Sequence, residues 1–591
     1  MRRVVTTVLA LGFMAVMAVL LDVATAPPAS AHAALATTTP GDGARLTEAP
    51  NEVTLAFTEE VSLDAGYARV LGADGARVDT GTPSVTGAEV RIPLAADLPE
   101  ASYVVTYRVL SADSHPIAGA YAFVVGQGEL VPATDVDVAG QGGRSVAIAL
   151  VAARWLGFAG VALGIGIPVF LSVGWQGGWS DPAMRRLTVI GLLGVVGAGL
   201  STFALQGAYA AGRGLGSVAD PDLLSATASS TFGRVVQVRT ALAALMAVLV
   251  TSAWRGGRSP RRGVVAVGAL VAVGMVVTFA AVGHPAAGPV PWLAVTVASV
   301  HVAAMAVWAG GLVGLLAGAL RSDVPYLAQA TAVTRFSRVA MAAVVALIAT
   351  GVLQSVREVG APSALVSTAY GWVLIGKVAL VLVLLAVAAS SRAWVLRHHG
   401  PVPSLTKELA LAAATVGVRP PAGSDRAPAA PDDRLPPSAA QQRALRRSVL
   451  IEAALVAVVL ALSAVLVGTP PAKASAAQPV SVTLPLQDAG GSAGLGQVQL
   501  AIAPATTGVN TLDLYLFDEA GRLSQAQDLR VSLTSAAQEI GPLPVDLQPA
   551  GPGHSVSEGM SIPTRGTWTL TVTVRLDEFT ATTAATDFEV R

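Results

Sequence analysis

Val378-Ala379-Leu380-Val381-Leu382-Val383-Leu384-Leu385-Ala386-Val387-Ala388 is the stretch that decides the fold. It holds no charge and no turn former, and it is the middle of an apolar segment, about 371 to 396. One helix of that length crosses a hydrocarbon core about 30 Å thick. Outward from it the pattern recurs at about 146–173, 187–211, 234–254, 264–283, 292–320 and 336–356, and an eighth segment follows at about 448–468. The composition agrees, since 53% of the 591 residues are hydrophobic and 13% are charged, whereas soluble domains carry roughly 25% charge. The chain therefore reads as a multi-domain membrane protein built around an eight-helix transmembrane α bundle.

Charge and cysteine content exclude whole classes of function. With 38 basic and 38 acidic residues the formal charge is zero, so no basic footprint for nucleic acid exists. With no cysteine, disulfides, Fe–S clusters, thiolate zinc sites and a Cys nucleophile are all ruled out. Any metal must be held by His, Met, carboxylate or backbone groups, and only seven His and nine Met are present. No nucleophile elbow, HExxH or P-loop occurs, and no enzyme activity is expected.

At the N-terminus, Arg2 and Arg3 precede an apolar run from Val4 to Leu21, and Ala29-Ser30-Ala31 gives a small-x-small cleavage pattern. Residues 1–31 read as a signal peptide, with an uncleaved anchor helix as the other reading. Cleavage after Ala31 leaves His32 first, joining a free amine to an imidazole.

Residues 32–127 alternate with period two, as in Val53-Thr54-Leu55-Ala56-Phe57 and Tyr103-Val104-Val105-Thr106-Tyr107, which predicts an all-β domain, an Ig-like sandwich or barrel. A Gly-rich linker, 128–145, leads to the seven spans of 146–396. The Pro-, Ala- and Arg-rich stretch 397–447 reads as a disordered cytoplasmic loop before the eighth span, 448–468. Residues 478–591 alternate again, as in Thr511-Leu512-Asp513-Leu514-Tyr515-Leu516, and predict an all-β C-terminal sandwich. Loops 175–186, 255–263 and 321–338 carry nine arginines, among them Arg185, Arg261 and Arg335, against Arg213 and Arg357 in the alternate loops. By the positive-inside rule the arginine-rich loops are cytoplasmic and both β domains are extracytoplasmic, on a multi-pass plasma-membrane protein.

In Ser111-Ala112-Asp113-Ser114-His115-Pro116, Asp113 and His115 point to one side if the backbone is extended. Together with His32 they make a set of nitrogen and oxygen donors suited to tetragonal Cu(II). A solvated loop pair that binds nothing reads the same way.

Several of these stretches resemble one family. His32-Ala33-Ala34-Leu35, Pro40-Gly41-Asp42-Gly43, the run from Pro50 to Glu59 and the run from Tyr107 to Gly119 are similar to the CopC copper-binding domain. Thr231-Phe232-Gly233-Arg234, the run from His301 to Leu312, Arg335-Phe336-Ser337-Arg338 and the run from Tyr370 to Lys377 are similar to CopD. The end, Pro563 to Val572 with Arg575-Leu576-Asp577, resembles the extramembrane β domain of YcnJ-like CopC/CopD fusions. The resemblance implies Cu(II) held by His32, Asp113 and His115, copper moved across the membrane by the CopD part, and no enzymatic turnover. Extracytoplasmic copper-delivery proteins join copper ions and the lipid bilayer as expected partners. Some CopC domains carry a Met-rich Cu(I) site, but residues 32 to 145 hold no Met, so a second site there is not expected.

Within the bundle, Arg154, Arg239, His301 and Lys377 fall about 10 to 14 Å in from the outer side, level with Gln206 and Gln354, and suggest one polar layer. That layer reads as lacking an embedded acid. His301 and Met305 share a helix face opposite a stripe of Gly310, Gly314 and Gly318, so they are candidates for a copper path, offering Cu(I) an imidazole and a thioether. His284, in Gly283-His284-Pro285, stands where copper would first meet the membrane domain. Structural or loop histidines fit these positions as well. The alternative class is a membrane redox or haem-binding protein with a copper-binding outer domain, His284 and His301 being its haem ligands. N-terminal sequencing of the membrane-extracted protein should start at His32; a retained Met1 removes the amine donor.

Overall fold

The computed structural model describes residues 33, 35–126, 143–255, 262–287, 290–399, 438–473, 480–487, 493–503, 505–518, 524–551, 553–576 and 581–590. The expected signal segment, His32 and most of the 128–145 linker and 397–447 loop lie outside the described residues.

Among the described residues eight helices are long and apolar enough to cross a membrane: α1 (Gly143–Val173), α2 (Pro182–Ala210), α3 (Thr231–Ser252), α4 (Gly263–Ala280), α5 (Pro291–Ala319), α6 (Tyr326–Val359), α7 (Ala369–Val395) and α8 (Ala440–Val467). Consecutive helices pack together, and α1 touches α2, α5 and α8. Their outward faces stay apolar, with Leu193, Leu270 and Leu382 exposed, as lipid requires.

Several helices overrun their apolar segments because caps, which hydropathy does not see, fix the ends. Asp181 caps α2 by accepting from the Ala183 and Met184 amides, with Pro182 at the first helical position. Its other oxygen pairs with Arg321 at 3.0 Å, tying the α1–α2 turn to the α5–α6 turn. A Ser438–Gln441 capping box starts the last helix about ten residues before the expected 448. At its other end α6 passes the expected limit near 356, so Glu358 is helical and only 6% exposed. Two acids are buried among the described helices, Glu358 at the α6 terminus and Glu452 in α8, where Ser391 donates to it at 2.5 Å.

The glycine stripe has the packing role its spacing suggests. A Cβ on Gly310 would run into Ala162 O and one on Gly166 into Ala306 O, while one on Gly314 or Gly318 would strike the rings of Phe170 or Trp175. The α1–α5 crossing is therefore backbone on backbone, and α1 accommodates it with a π-helical turn at Ala162–Gly166.

The N-terminal domain has two four-stranded sheets. One runs in the order β1 (Leu35–Thr39), β3 (Glu52–Phe57), β6 (Glu89–Pro93), β5 (Ser84–Thr86); the other runs β2 (Arg45–Leu46), β8 (Pro116–Val125), β7 (Ala101–Ser111), β4 (Val61–Gly72). Both sheets feed one core, with Val53, Leu55 and Ile92 from the first and Tyr103, Val105, Val109 and Phe123 from the second. Strand β7 is buried on both faces from Ser102 to Ser111. Its second face reaches the bundle, where Arg108 donates to Ala210 O at 2.5 Å and to Tyr209 O at 3.0 Å.

The C-terminal strands are β9 (Val480–Gln487), β10 (Ala493–Ala503), β11 (Gly508–Phe517), β12 (Asp528–Ser535), β13 (Ile540–Val545), β14 (Gln548–Gly551), β15 (His554–Ile562), β16 (Gly566–Arg575) and β17 (Ala581–Val590). They form one nine-stranded sheet, β13-β12-β16-β17-β9-β10-β11-β15-β14, joined in its middle by the single pair Thr583–Gln487. Trp568, Leu570, Leu500 and Leu514 meet in its core, which also takes Met560. His554 lies flat on Tyr515 at 4.1 Å and pairs with Asp513 at 3.0 Å. Gln497 exchanges two hydrogen bonds with the backbone of Arg45, linking the two β domains.

Gly310→Val should cost about 3 kcal/mol or more through overpacking at the α1–α5 crossing. Gly376→Val, at a position with open space around it, should cost almost nothing. Thermal unfolding of the detergent-extracted protein compares the two directly, and equal loss would refute the backbone contact.

Candidate metal centre

The turn between β7 and β8 is closed by its own backbone. Ser111 N donates to His115 O at 3.0 Å and Ser114 N to Ser111 O at 2.8 Å. Ser114 takes the left-handed conformation this needs, at φ 68°. Asp113 is turned inward: its Oδ1 accepts from Ser111 Oγ and, at 3.2 Å, from His115 N. This leaves Oδ2 facing His115 Nδ1 at 3.2 Å.

The third member comes from the bundle. After α4, Gly283 at φ 75° lets the chain reverse into a short 3-10 turn, His284–Ala286. The His284 ring stacks on that of His115 with centroids 5.0 Å apart, and its Nε2 lies 3.8 Å from Asp113 Oδ2. Asp113, His115 and His284 are 1%, 5% and 8% exposed, and one donor atom from each falls within 4.8 Å of the others. Two imidazoles and a carboxylate, with no sulfur, form a borderline-to-hard donor set that fits a divalent transition metal such as Cu(II).

Contacts around the cluster hold the β domain on the bundle. Gln206 Nε2 donates to Ser114 O at 3.1 Å, and Arg357 donates to Ala287 O, fixing the turn that carries His284. Burial pushes the Arg108 guanidinium below its usual range, with Tyr67 and Tyr209 acting in the other direction. Lys473, just after α8, is likewise pushed down by burial, and Glu358 opposes that shift. A cleft of about 350 Å³ opens beside the site, bordered by Glu60, Ser114, Gln206 and Gly283.

The sequence-predicted residues separate into two groups. Asp113, His115 and His284 meet, whereas sequence reading had set His284 apart as a membrane residue. His301 Nδ1 lies 2.8 Å from Thr350 Oγ1 on α6, and Met305 packs against the bundle core. His32 lies outside the described residues. Sequence reading missed Glu358 and Lys473; the one available signal was a Glu directly after Arg357 at the end of a span.

Three families match the chain. The CopC domain matches residues 35–126, the copper resistance protein D-like N-terminal domain residues 145–292, and copper resistance protein D residues 330–466. The copper transport protein CutJ of Bacillus subtilis (strain 168) is 28% identical over 371 residues, covering 61% of this chain and 67% of that protein. Protein YobA of Escherichia coli (strain K12) is 32% identical over 103 residues, 17% of this chain and 82% of its own length. Among solved structures, CopC from Methylosinus trichosporium OB3b is 28% identical and covers 16% of this chain and 93% of its own, with a TM-score of 0.15. PcoC, a methionine-rich copper resistance protein from Escherichia coli, is 27% identical, with 16% and 99% covered and a TM-score of 0.15. The chain belongs to the CopC/CopD copper-resistance family, as a copper-handling membrane protein that joins a CopC domain to both CopD domains.

Proposed function

We propose that this protein captures Cu(II) outside the cell with Asp113 and His115, completed by the amine and imidazole of His32, and passes it through His284 into the bundle for import. The observation that carries this reading is the meeting of the β-domain pair with a histidine of the membrane domain inside a single 4.8 Å cluster. A metal bound there already touches both the capturing and the conducting part. Copper transport, named for the Bacillus subtilis relative, carries over to this chain as part of the same proposal.

Orientation follows from charge. Arg108, Gln206 and His284 join the β domain to one end of the bundle, and the arginine-rich loops leave from the other, which supports an extracytoplasmic position for both β domains. Further in, His301 and Met305 are the next candidate copper donors, an imidazole and a thioether, a pair that Cu(I) would also accept. The N-terminal domain is read as an Ig-like sandwich because both its sheets share one core. The C-terminal sheet is read as a sandwich hinged at Thr583–Gln487, and it would offer a docking face to copper-delivery proteins. The haem alternative has less support, since His284 is stacked on His115 and His301 is bonded to Thr350.

The full-length protein should bind one Cu(II) with a tetragonal EPR signal. His115→Ala or Asp113→Ala should weaken binding about a hundredfold or more, beyond the loss typical of an outer-shell change. His284→Ala should keep capture, alter the EPR parameters and lower copper accumulation in cells. Wild-type affinity in both β-domain variants, or unchanged accumulation in cells lacking the protein, sinks the proposal.

A further inference from the structure

Below the metal cluster a file of polar groups runs down one face of α6. Glu358, Gln354 and Thr350 are spaced four residues apart, so they line up along the helix over about 12 Å. Gln354 Nε2 donates to Thr350 O at 3.2 Å, and Thr350 Oγ1 meets His301 Nδ1 at 2.8 Å. Gly351 lies beside that imidazole, where a Cβ would make an ordinary contact 3.5 Å from His301 Cε1. The file thus ends on His301, the histidine proposed above for the copper path.

At its top stands Glu358. Its side chain is 8% exposed, Arg357 Nη1 is 3.9 Å from its Oε1, and its buried Oε2 has no hydrogen-bond partner among the described residues. The neighbouring Arg357 is bonded to Ala287 O, so this helix end is docked on the turn that carries His284. Asp113 and Lys473 are both within electrostatic reach of Glu358. Burying a carboxylate oxygen without a partner costs several kcal/mol, and retaining it beside a metal cluster calls for a cation that offsets the cost at least part of the time.

We infer that Glu358 is the first cargo ligand inside the bundle, a carboxylate that receives copper from the Asp113–His115–His284 cluster and passes it down α6 toward His301. As a hard oxygen donor it favours the divalent ion, so the copper it receives is Cu(II). The inference rests on the proposed import function, and the test separates the two.

The full-length protein is expressed in cells and supplied with Cu(II) chloride; accumulation is read as metal content, and outer-site occupancy as EPR of purified protein. Glu358→Gln should leave the outer Cu(II) signal unchanged and lower accumulation about tenfold or more, the scale of a lost charge-assisted contact. Normal accumulation in this variant overturns the inference, whereas normal accumulation in His115→Ala overturns the import proposal instead. A purely structural Glu358 would serve to neutralise Lys473. In that case Glu358→Gln combined with Lys473→Gln restores accumulation and the inference falls; continued loss in the double variant supports it. Should Glu358→Gln not yield folded protein, Glu358→Asp keeps the charge and withdraws it by one methylene. Reduced accumulation with an intact EPR signal then supports the cargo role, and wild-type accumulation overturns it.

Discussion

A carboxylate with 1% of its surface exposed is the constraint around which the N-terminal β domain and the helix bundle are joined. Removing Asp113 from water costs several kcal/mol unless dipoles and positive charge replace the solvent. The β domain supplies Ser111 Oγ, the His115 amide and one imidazole. The second imidazole comes from the membrane domain, and Lys473 contributes its charge at a distance. Both parts contribute to the surroundings of Asp113, so the contacts of Arg108 and Gln206 that dock them help to shape the cluster. A divalent ion held by the two ring nitrogens and the carboxylate would take over the same compensating role, which would link docking to cargo.

What the sequence made legible followed from periodicity. The bundle could be read because hydrocarbon admits only long apolar helices, and the Gly310–Gly314–Gly318 stripe because helical spacing places those residues on one face. Asp113 and His115 could be read as a pair, but the extended backbone that reading assumed is replaced by a tight turn with Ser114 left-handed, and it is the turn that brings them together. What stayed hidden depended on contacts between distant segments. Period-two reading of β7 identifies one buried face, from Tyr103 to Val109, and has no means of knowing that Arg108 on the other face meets Tyr209. His284 was legible as a candidate, yet its partner lies far back in the chain, in another domain. Glu358 was lost for a sharper reason: hydropathy falls at Arg357-Glu358 whether a helix end meets water or a docked domain, and here it meets the His284 turn.

Basic residues at the level of His301 would repel a cation, and their contacts decide how far each of them does so. Arg239 spends its guanidinium on Thr278, with 2.6 Å to the carbonyl, and covers the Phe279 ring at 4.0 Å. It therefore braces α3 against α4 instead of facing α6. Lys377 is different, since its charge is felt at His301. On the path proposed along α6, a cation would be drawn in by a carboxylate at the top and resisted by an ammonium at the bottom. Repulsion from Lys377 acts over distance, whereas a coordination bond forms over about 2 Å, so an ion could be held there only by a donor close at hand. That is the position of His301, whose ring is oriented by Thr350 and has its second nitrogen as a potential metal ligand.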